Sequence, residues 1–347
     1  MDEISKRGVM TVVGIDLAKT SFHLHGVGSR GRVVASKKLS RAKLARFMAN
    51  SPPCLVGMEA CAGAHYWARK FRQMGHEVRL IGAQFVKPYV KSNKNDAADA
   101  EAICEAVQRP AMRFVPVKTL EQQDIQCLHR ARSMAVAHRT AQANQIRGFL
   151  AEYGVVVAKG IGNLRRALPE LLEDGQSELT PMFRELLGEL REELLRLDRR
   201  VADYDAHIAA LSRQSEPCRR LMTIPGIGPL SATALVAAAG DVSVFRSGRE
   251  MAAWVGLVPR QCSTGGKPKL LGISKRGDAY LRKLLIDGAR AAARVAGNKS
   301  DRRSRWVTGL SERRGRNVAV VALANKNVRT AWALLSRGQD YTATAIG

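Results

Sequence analysis

The chain has 347 residues, with 56 Lys and Arg against 31 Asp and Glu, a formal net charge of +25, and 46% hydrophobic residues. This composition is typical of a folded globular protein and excludes wholesale disorder and low-complexity architectures, while the length predicts two or three domains. No run approaches the ~18 consecutive apolar residues of a membrane-spanning helix. The first residues contain no apolar signal region and the six cysteines form no Cys-x-x-Cys pair, so we expect a reduced, cytoplasmic protein.

Charge is distributed unevenly along the chain. Residues 1–115 carry a net charge of +10, residues 116–215 are neutral, and residues 216–347 carry +15. These changes predict three domains with the same boundaries, in which a spacer or assembly region joins two basic domains. Basic domains of this kind bind the phosphates of nucleic acids, and a merely basic surface is the alternative explanation.

The first region is predicted to be an α/β domain. Apolar and β-branched runs indicate five strands, at residues 9–15, 21–27, 32–39, 54–58 and Glu77–Ile81. Helical spacing indicates three helices. The first begins after Ser40, the second spans residues 65–74 and the third spans Asp96–Val107. This element order predicts a mixed five-stranded sheet.

Four acids stand out in this basic domain. Asp16 and Glu59 follow the first and fourth strands, and Asp96 and Asp99 share one face of a helix. If the first and fourth strands are neighbours, all four carboxylates converge at one end of the sheet. Carboxylates that close repel one another unless cations bind them, and oxygen ligands suit Mg²⁺ or Mn²⁺. Two such ions can stabilise the attacking and leaving oxygens at a phosphorus centre.

Each acid taken alone has an ordinary explanation. Asp16 can cap the following turn, Asp96 can be a helix N-cap, and Asp99 can interact with the helix dipole. His23 and His25 alternate on the second strand, and we assign them to packing because no third ligand accompanies them.

Three motifs carry a resemblance to a known family. They are Gly14-Ile15-Asp16-Leu17-Ala18-Lys19, Gly57-Met58-Glu59-Ala60 and Lys94-Asn95-Asp96-Ala97-Ala98-Asp99-Ala100. These motifs resemble the Asp-Glu-Asp-Asp motifs of insertion-sequence transposases of the IS110 family, and of its IS1111 subgroup in particular. The resemblance implies an N-terminal domain of RuvC-like, ribonuclease H fold. It also implies that Asp16, Glu59, Asp96 and Asp99 are catalytic metal ligands, for Mg²⁺ or alternatively for Mn²⁺.

A long helix is predicted in the middle region. Thr180 is its expected N-cap and Pro181 its first residue. Apolar residues then recur alternately every four and three positions, at Phe183, Leu187, Leu190, Leu194, Leu197, Val201, Tyr204, Ile208 and Leu211. This heptad seam is typical of a coiled coil. It can pack against residues 121–153 of the same chain or against another copy, and the family resemblance favours the second.

The last region is predicted to be mainly helical and to begin with a helix-hairpin-helix element. Two apolar helices, at 219–223 and 230–239, flank the sequence Ile-Pro-Gly-Ile-Gly-Pro. Gly226 and Gly228 would let backbone N–H groups approach a DNA phosphate without obstruction by side chains. A plain turn is the alternative.

A glycine-flanked segment at 254–267, followed by Gly-Ile-Ser-Lys-Arg-Gly-Asp at 272–278, also matches the family. The resemblance implies a C-terminal transposase domain with a nucleophilic serine, which we assign to Ser263, with Thr264 as the fallback. The alternative is that both are turn residues. No histidine follows His207, so a serine hydroxyl here needs activation from elsewhere, and the N-terminal metal site is the expected source.

Small and basic residues surround this serine. Gly265 and Gly266 would let the segment approach DNA closely. Lys267, Lys269, Lys275 and Arg276 would neutralise phosphates.

These observations predict a DNA transposase that acts as a recombinase on double-stranded DNA. Attack by Ser263 would form a transient phosphoserine link, in a composite site that includes the four acids. The resemblance further implies guidance by a noncoding bridge RNA and a homo-oligomer, either a dimer or a tetramer. No membrane partner is expected.

Two rival functions remain open from the sequence. A junction-resolving endonuclease would use the carboxylates and water, without the serine. A catalytically silent nucleic-acid-binding assembly protein would need neither group.

Overall fold

The computed structural model describes residues 8–91, 95–175, 178–265 and 267–342. The chain forms two compact units, with the boundary between Thr119 and Leu120. The domain boundary expected near residue 215 stays a prediction, and the chain on both sides of it belongs to the second unit. Across the described ranges, no helix is both long and apolar enough to span a bilayer.

A mixed six-stranded sheet forms the centre of the first unit. Its strands are β1 Met10–Leu17, β2 Ser21–Gly28, β3 Val33–Ser40, β4 Leu55–Glu59, β5 Glu77–Ile81 and β6 Phe114–Val115. They lie in the order β3-β2-β1-β4-β5-β6, in which β1, β4 and β5 are parallel and the other pairs are antiparallel. The prediction of five strands is wrong by one, because the two residues of β6 are too few to show a strand pattern.

Helices cover both faces of this sheet. They are α1 Arg41–Ala49, α2 Ala64–Gln73, α3 Ala83–Val86 and α4 Asp96–Val107. On one face α1 and α2 bury a core that includes Ile15, Met58 and Trp67. On the other face, Val107 of α4 belongs to a second core, which packs against Val12 of β1. The alternation of side chains along β1 therefore places Val12, and two residues later Gly14, beneath α4.

Two glycines on adjacent strands let α4 lie close to the sheet. Gly14 on β1 pairs with Gly57 on β4. A Cβ atom at Gly14 would lie 2.2 Å from the carbonyl oxygen of Ala100 and 2.4 Å from the amide nitrogen of Cys104. A Cβ atom at Gly57 would lie 2.8 Å from the Cβ of Val107. The helix backbone thus rests on the strand backbone, which only glycine permits.

The second unit is mostly helical. Its helices are α5 Leu120–Glu152, α6 Ile161–Glu173, α7 Pro181–Gln214, α8 Glu216–Met222, α9 Pro229–Ala239, α10 Gly248–Val255, α11 Ala279–Arg294, α12 Arg302–Arg314 and α13 Arg316–Arg337. A β-hairpin of β7 Pro259–Thr264 and β8 Lys267–Ile273 interrupts them. The sequence analysis did not predict these two strands. Most of their described side chains are exposed, so no buried stripe marks them.

The long helix α7 begins as predicted. The Thr180 hydroxyl oxygen accepts a hydrogen bond from the amide of Phe183 at 3.2 Å, and Pro181 occupies the first turn. This cap satisfies one of the free N–H groups at the start of the helix.

The heptad seam of α7 packs against α5 of the same chain. Arg132 Nε donates to Asp205 Oδ1 at 2.5 Å, and Arg139 Nη1 lies 3.4 Å from Asp198 Oδ1. These pairs run in opposite directions along the two helices, which are therefore antiparallel. The seam residues that the structure buries are Phe183, Leu187, Leu194, Leu197, Val201 and Ile208. The intramolecular hairpin thus accounts for the seam, and self-association stays a prediction.

A buried histidine joins three helices of the second unit. His129 on α5 is 3% exposed, and its ring nitrogens lie 2.9 Å from the hydroxyl of Tyr280 on α11 and 2.9 Å from that of Thr233 on α9. Burial, with a smaller contribution from the charge of Arg132, lowers the pKa of His129 to about 4. The imidazole is therefore neutral in the folded protein at pH 7.

We expect this unit to lose stability on acidification. The pKa of His129 is lower in the folded protein than the ordinary 6.5, so the unfolded chain binds more protons as the pH falls from 6.5 towards 4. The free energy of unfolding should fall by roughly 2 kcal/mol over this range because of His129. Urea unfolding of the wild type and of His129→Gln at several pH values tests this, since the variant should show a flatter dependence. An equal pH dependence in the wild type and in His129→Gln would contradict this prediction.

Candidate active site

The predicted acids begin with Asp16, at the end of β1. Asp16 pairs with His23 on β2. On the other side of β1, the last pair with β4 joins Ile15 of β1 to Met58 of β4. Asp16 and Glu59 are the next residues of these two strands. Since paired positions of adjacent strands point to the same face, His23, Asp16 and Glu59 form a row across three strands, on the face that α4 covers.

The first turn of α4 brings two more acids to this row. The ligand oxygens of Asp16, Asp96 and Asp99 all lie within 4.8 Å of one another. Asn95 is the N-cap of α4, and its Oδ1 accepts a hydrogen bond from the amide of Ala98 at 2.8 Å. The alternative that Asp96 is the helix cap is therefore wrong, and its carboxylate is directed to the cluster.

Glu59 lies outside this group of three but near it. The charges of Glu59 and Asp16 both raise the pKa of the Cys61 thiol, although burial of the thiol is the larger cause. Cys61 follows Glu59 by two residues and is half-buried. The carboxylates of Glu59 and Asp16 are therefore both close enough to the Cys61 thiol, at the end of β4, to raise its pKa.

The cluster has the electrostatics of a cation site. Burial and then the charges of Asp99 and Asp96 raise the pKa of Asp16, and only the charge of His23 and a backbone hydrogen bond from Leu17 oppose this rise. Three crowded carboxylates are hard oxygen donors that repel one another until a cation binds between them. The residues present therefore fit a divalent metal ion.

His23 belongs to this site, and its assignment to packing is wrong. Its Nδ1 lies 3.4 Å from Oδ2 of Asp96, and its side chain is 17% exposed. The position of a histidine two residues after a turn gave no sign of this contact. The signal lies in the register of β1 and β2, which sets His23 directly opposite Asp16.

Ser263 lies in the second unit, near the tip of the β7–β8 hairpin. Its side chain is exposed, and its Oγ accepts a hydrogen bond from Nε2 of Gln261 at 2.8 Å. Thr264 pairs with Lys267 across the tip, where Gly265 has a φ of 58° that favours glycine. Gly266 falls outside the described residues.

The four predicted phosphate-binding residues near this serine are all exposed. Lys267 and Lys269 lie on β8, and Lys269 pairs with Cys262, the neighbour of Ser263. Lys275 and Arg276 follow β8, in a loop that Gly256 contacts closely. A Cβ atom at Gly256 would lie 1.9 Å from the carbonyl oxygen of Arg276. Their contact with phosphates stays a prediction.

The two glycines of the predicted helix-hairpin-helix element differ in their surroundings. Gly226 has a φ of 90°, and a Cβ atom there would lie 2.7 Å from the carbonyl oxygen of Gly288 on α11. Gly228 is exposed, and a Cβ atom there would meet nothing within 4 Å. Gly226 therefore serves a close packing contact, and a DNA contact at either glycine stays a prediction.

We expect Gly14→Ala to disable the metal site without changing any acid. The added Cβ would collide with the backbone of α4, so the helix must move and carry Asp96 and Asp99 away from Asp16. The expected cost is about 2–3 kcal/mol of unfolding free energy, together with a loss of Mn²⁺ affinity. Denaturant unfolding and calorimetric titration with Mn²⁺ measure the two effects.

Gly57 offers a matched test, because its added Cβ would meet the side chain of Val107 rather than backbone. Gly57→Ala should also lose Mn²⁺ affinity, and the double variant of Gly57→Ala with Val107→Ala should recover it. If Gly14→Ala binds Mn²⁺ like the wild type, the close approach of α4 does not position the acids.

Comparisons with known proteins agree with this geometry. A family model described as "Transposase", DEDD_Tnp_IS110, matches residues 13–155, and a second, described as "Transposase IS116/IS110/IS902 family", matches residues 218–305. A probable family 20 transposase of Pseudomonas aeruginosa is 53% identical over 95% of this chain and 98% of its own.

Two further relatives are transposases of named elements. The transposase for insertion sequence element IS1111A of Coxiella burnetii is 46% identical over 96% of this chain and 92% of its own. The transposase for insertion sequence element IS1328 of Yersinia enterocolitica is 44% identical over 96% of this chain and 99% of its own.

The chain is an IS110-family transposase. This confirms the predicted enzyme class, since a transposase cuts and rejoins DNA. The first family model spans Asp16, Glu59, Asp96 and Asp99, and it supports use of a divalent metal by this transposase. The second model spans Ser263 and the hairpin that carries it. The subgroup and the RuvC-like fold stay predictions.

Proposed function

We propose that this transposase moves an insertion sequence by strand exchange at double-stranded DNA, with Ser263 as the nucleophile. In this proposal Asp16, Glu59, Asp96 and Asp99 hold Mg²⁺, or alternatively Mn²⁺. The observation that carries the proposal is the convergence of the oxygens of Asp16, Asp96 and Asp99 within 4.8 Å of one another. A protein that only bound DNA would have no use for three crowded carboxylates in a basic domain.

The acids act by concentrating negative charge in one place. Asp16, Asp96 and Asp99 would hold a divalent cation, which would supply Lewis-acid chemistry at the scissile phosphate and would favour the ionised form of a hydroxyl. His23 is positioned to orient the carboxylate of Asp96 through Nδ1. The helix α4 fixes Asp96 and Asp99 because its backbone is in contact with β1.

Ser263 carries the covalent step. Its hydroxyl loses a proton, its oxygen forms a bond to phosphorus, and a DNA hydroxyl leaves with a proton. A hydroxyl of the second DNA strand then attacks the phosphoserine, forms the new phosphodiester bond and returns the proton to Ser263. One phosphodiester bond is exchanged for another, so no external energy source is needed.

The site is composite in this proposal. In the described part of the second unit, Ser263 Oγ accepts its hydrogen bond from Gln261 Nε2, which is a donor and not a base. Activation by the acids of the first unit would therefore combine residues of both units in one site, from one chain or from different chains of a homo-oligomer. A homo-oligomer, either a dimer or a tetramer, would provide the second arrangement.

Nucleic acids are the partners in this proposal. Double-stranded DNA at the element ends and at the target would contact Gly226, Gly228, Gly265, Gly266, Lys267, Lys269, Lys275 and Arg276. A noncoding bridge RNA would select both sequences. The family resemblance supports the RNA, and the net charge of +25 is compatible with binding of two nucleic acids. The same resemblance supports a RuvC-like first domain, and the Ile-Pro-Gly-Ile-Gly-Pro turn between two helices supports a helix-hairpin-helix element in the last region.

Trapping of the covalent intermediate tests the proposal. The protein is incubated with labelled element-end DNA and Mg²⁺, denatured, and digested, and the peptide that carries the label is mapped. We expect the label on Ser263. Cleavage without any protein-bound label would support the endonuclease that uses water, and a label on Thr264 would move the nucleophile by one residue.

A further inference from the structure

A large groove lies in the second unit beside the hairpin that carries Ser263. Its volume is about 1320 Å³, larger than the 300–1,000 Å³ of a drug-sized ligand site. Helix α13 forms one side, the hairpin residues Pro259 and Ile273 form the other, and Trp306 of α12 also lines it. The groove is therefore large enough for an extended ligand.

The charges that line the groove all have one sign. Its charged residues are Arg249, Lys326, Arg329 and Arg337, and no acid lines it among the described residues. Within the described ranges, none of these four cations forms an ion pair. Partial burial and the charges of three neighbouring arginines lower the pKa of Lys326. Cations held together without counter-charges fit an anionic ligand.

The groove also concentrates aromatic side chains. The chain has four tryptophans, and Trp306 and Trp332 both line the groove. The Lys326 ammonium lies over the ring of Trp306, 4.9 Å from the ring centroid, in a cation–π contact. Trp332 Nε1 donates to the carbonyl oxygen of Phe245 at 3.0 Å, which fixes the orientation of its ring.

We propose that this groove binds an unpaired segment of the DNA substrate. Phosphates would contact the cations while bases contact the tryptophan rings, as in proteins that bind single strands. A duplex does not fit this arrangement, because its bases are stacked and paired and their faces cannot reach the rings. An acidic protein segment would match the charges but would leave the tryptophan rings without stacking partners.

The groove leads towards the proposed nucleophile. Pro259 begins β7 in the groove wall, and Ser263 lies four residues further along the same strand, which is about 13 Å. A strand opened beside the cleavage point could therefore occupy the groove while its phosphate lies near Ser263. This link to Ser263 rests on the proposed function, whereas binding by the groove does not.

Fluorescence anisotropy on the full chain tests the proposal. The probe is a labelled, unpaired DNA of about 12 nucleotides, within the usual site size of single-strand binding proteins. The double variant Lys326→Gln with Arg329→Gln should weaken binding about 10-fold or more. It should also reduce the salt slope by about 1.4, because each phosphate that the protein no longer neutralises lowers the slope by about 0.7. Both positions are at least partly exposed, so we expect the variant to fold.

Arg290→Gln with Arg313→Gln is the matched control, because it removes the same charge outside the groove and should change the affinity less than about threefold. Trp306→Phe keeps an aromatic ring and should reduce the quenching of tryptophan emission by the probe. The proposal is overturned if the groove and control variants bind the probe equally. It is also overturned if the substitutions in the groove reduce the affinity for duplex DNA, or for RNA of the same sequence, more than the affinity for unpaired DNA. No cleavage is measured, so the serine proposal is tested separately.

Discussion

Asp16→Asn should greatly slow metal-dependent DNA cleavage and at the same time stabilise the metal-free protein. Asparagine keeps the size of the side chain but removes one of three carboxylates whose oxygens lie within 4.8 Å of one another. Loss of one charged ligand should reduce the cleavage rate by about 100- to 1,000-fold, the range seen when a single electrostatic contact to a transition state is removed.

The expected gain in stability follows from the direction of the pKa shift. Burial and the charges of Asp99 and Asp96 raise the pKa of Asp16 above its usual 3.8. The folded protein therefore binds more protons than the unfolded chain between 3.8 and the raised value, so its stability falls as the pH rises through this window. At neutral pH the ionised Asp16 destabilises the metal-free fold, and its replacement should raise the Tm by about 1–3 °C. The side chain is half-exposed, which keeps this effect small.

Glu101→Gln is the control for both effects. Glu101 lies on the same helix, but its carboxylate pairs with Lys91 at 3.0 Å and is exposed. This variant should cleave DNA normally and show no gain in Tm. Thermal unfolding with and without Mn²⁺, beside a gel assay of strand cleavage, gives the measurement. An Asp16→Asn protein that cleaves at the wild-type rate would remove the acids from the mechanism.

Ser263→Ala should eliminate the covalent protein–DNA adduct and strand rejoining. If Ser263 is the nucleophile, its loss should lower the rate by about 10,000-fold or more, as for other nucleophilic serines. The exposed side chain forms its described hydrogen bond only with Gln261, so the substitution should leave the Tm unchanged. Recombination between two labelled DNA molecules and adduct formation on denaturing gels are the two readouts.

Thr264→Ala separates the two candidate hydroxyls. It should retain adduct formation if Ser263 is the nucleophile, and it should lose it if the nucleophile is one residue later. Persistent cutting by Ser263→Ala with no adduct in any variant would favour the endonuclease that uses water. Because the proposed Mn²⁺ ligands all lie in the first unit, both variants should bind Mn²⁺ like the wild type.

Local sequence patterns predicted much of the first unit. The apolar run at Glu77–Ile81 and the alanine-rich helix Asp96–Val107 have the same bounds in the structure as in the prediction. The positions of Asp16 and Glu59 at the ends of two predicted strands also indicated the end of the sheet at which the acids lie. These features depend on periodicity and on the position of polar residues within a few positions of the chain, which a single sequence displays directly.

Other features depend on register and packing between distant segments. His23 reaches Asp96 because β2 pairs with β1 in one register, and nothing near His23 in sequence encodes that register. The β7–β8 hairpin lacks a buried face, so its strands have no apolar alternation. The seam of α7 has the same pattern whether it packs on α5 or on another copy. The sequence therefore left that choice open.

Because α4 lies directly against the sheet, the codons of Gly14 and Gly57 tolerate no missense change in any copy of the gene. Any missense change at Gly14 or Gly57 adds at least one carbon atom where no free volume exists. Such a change would inactivate a copy of the element although all four carboxylates remained in its sequence. Among degenerate genomic copies, an intact set of acids is consequently insufficient evidence of mobility, and these two glycines should be checked as well.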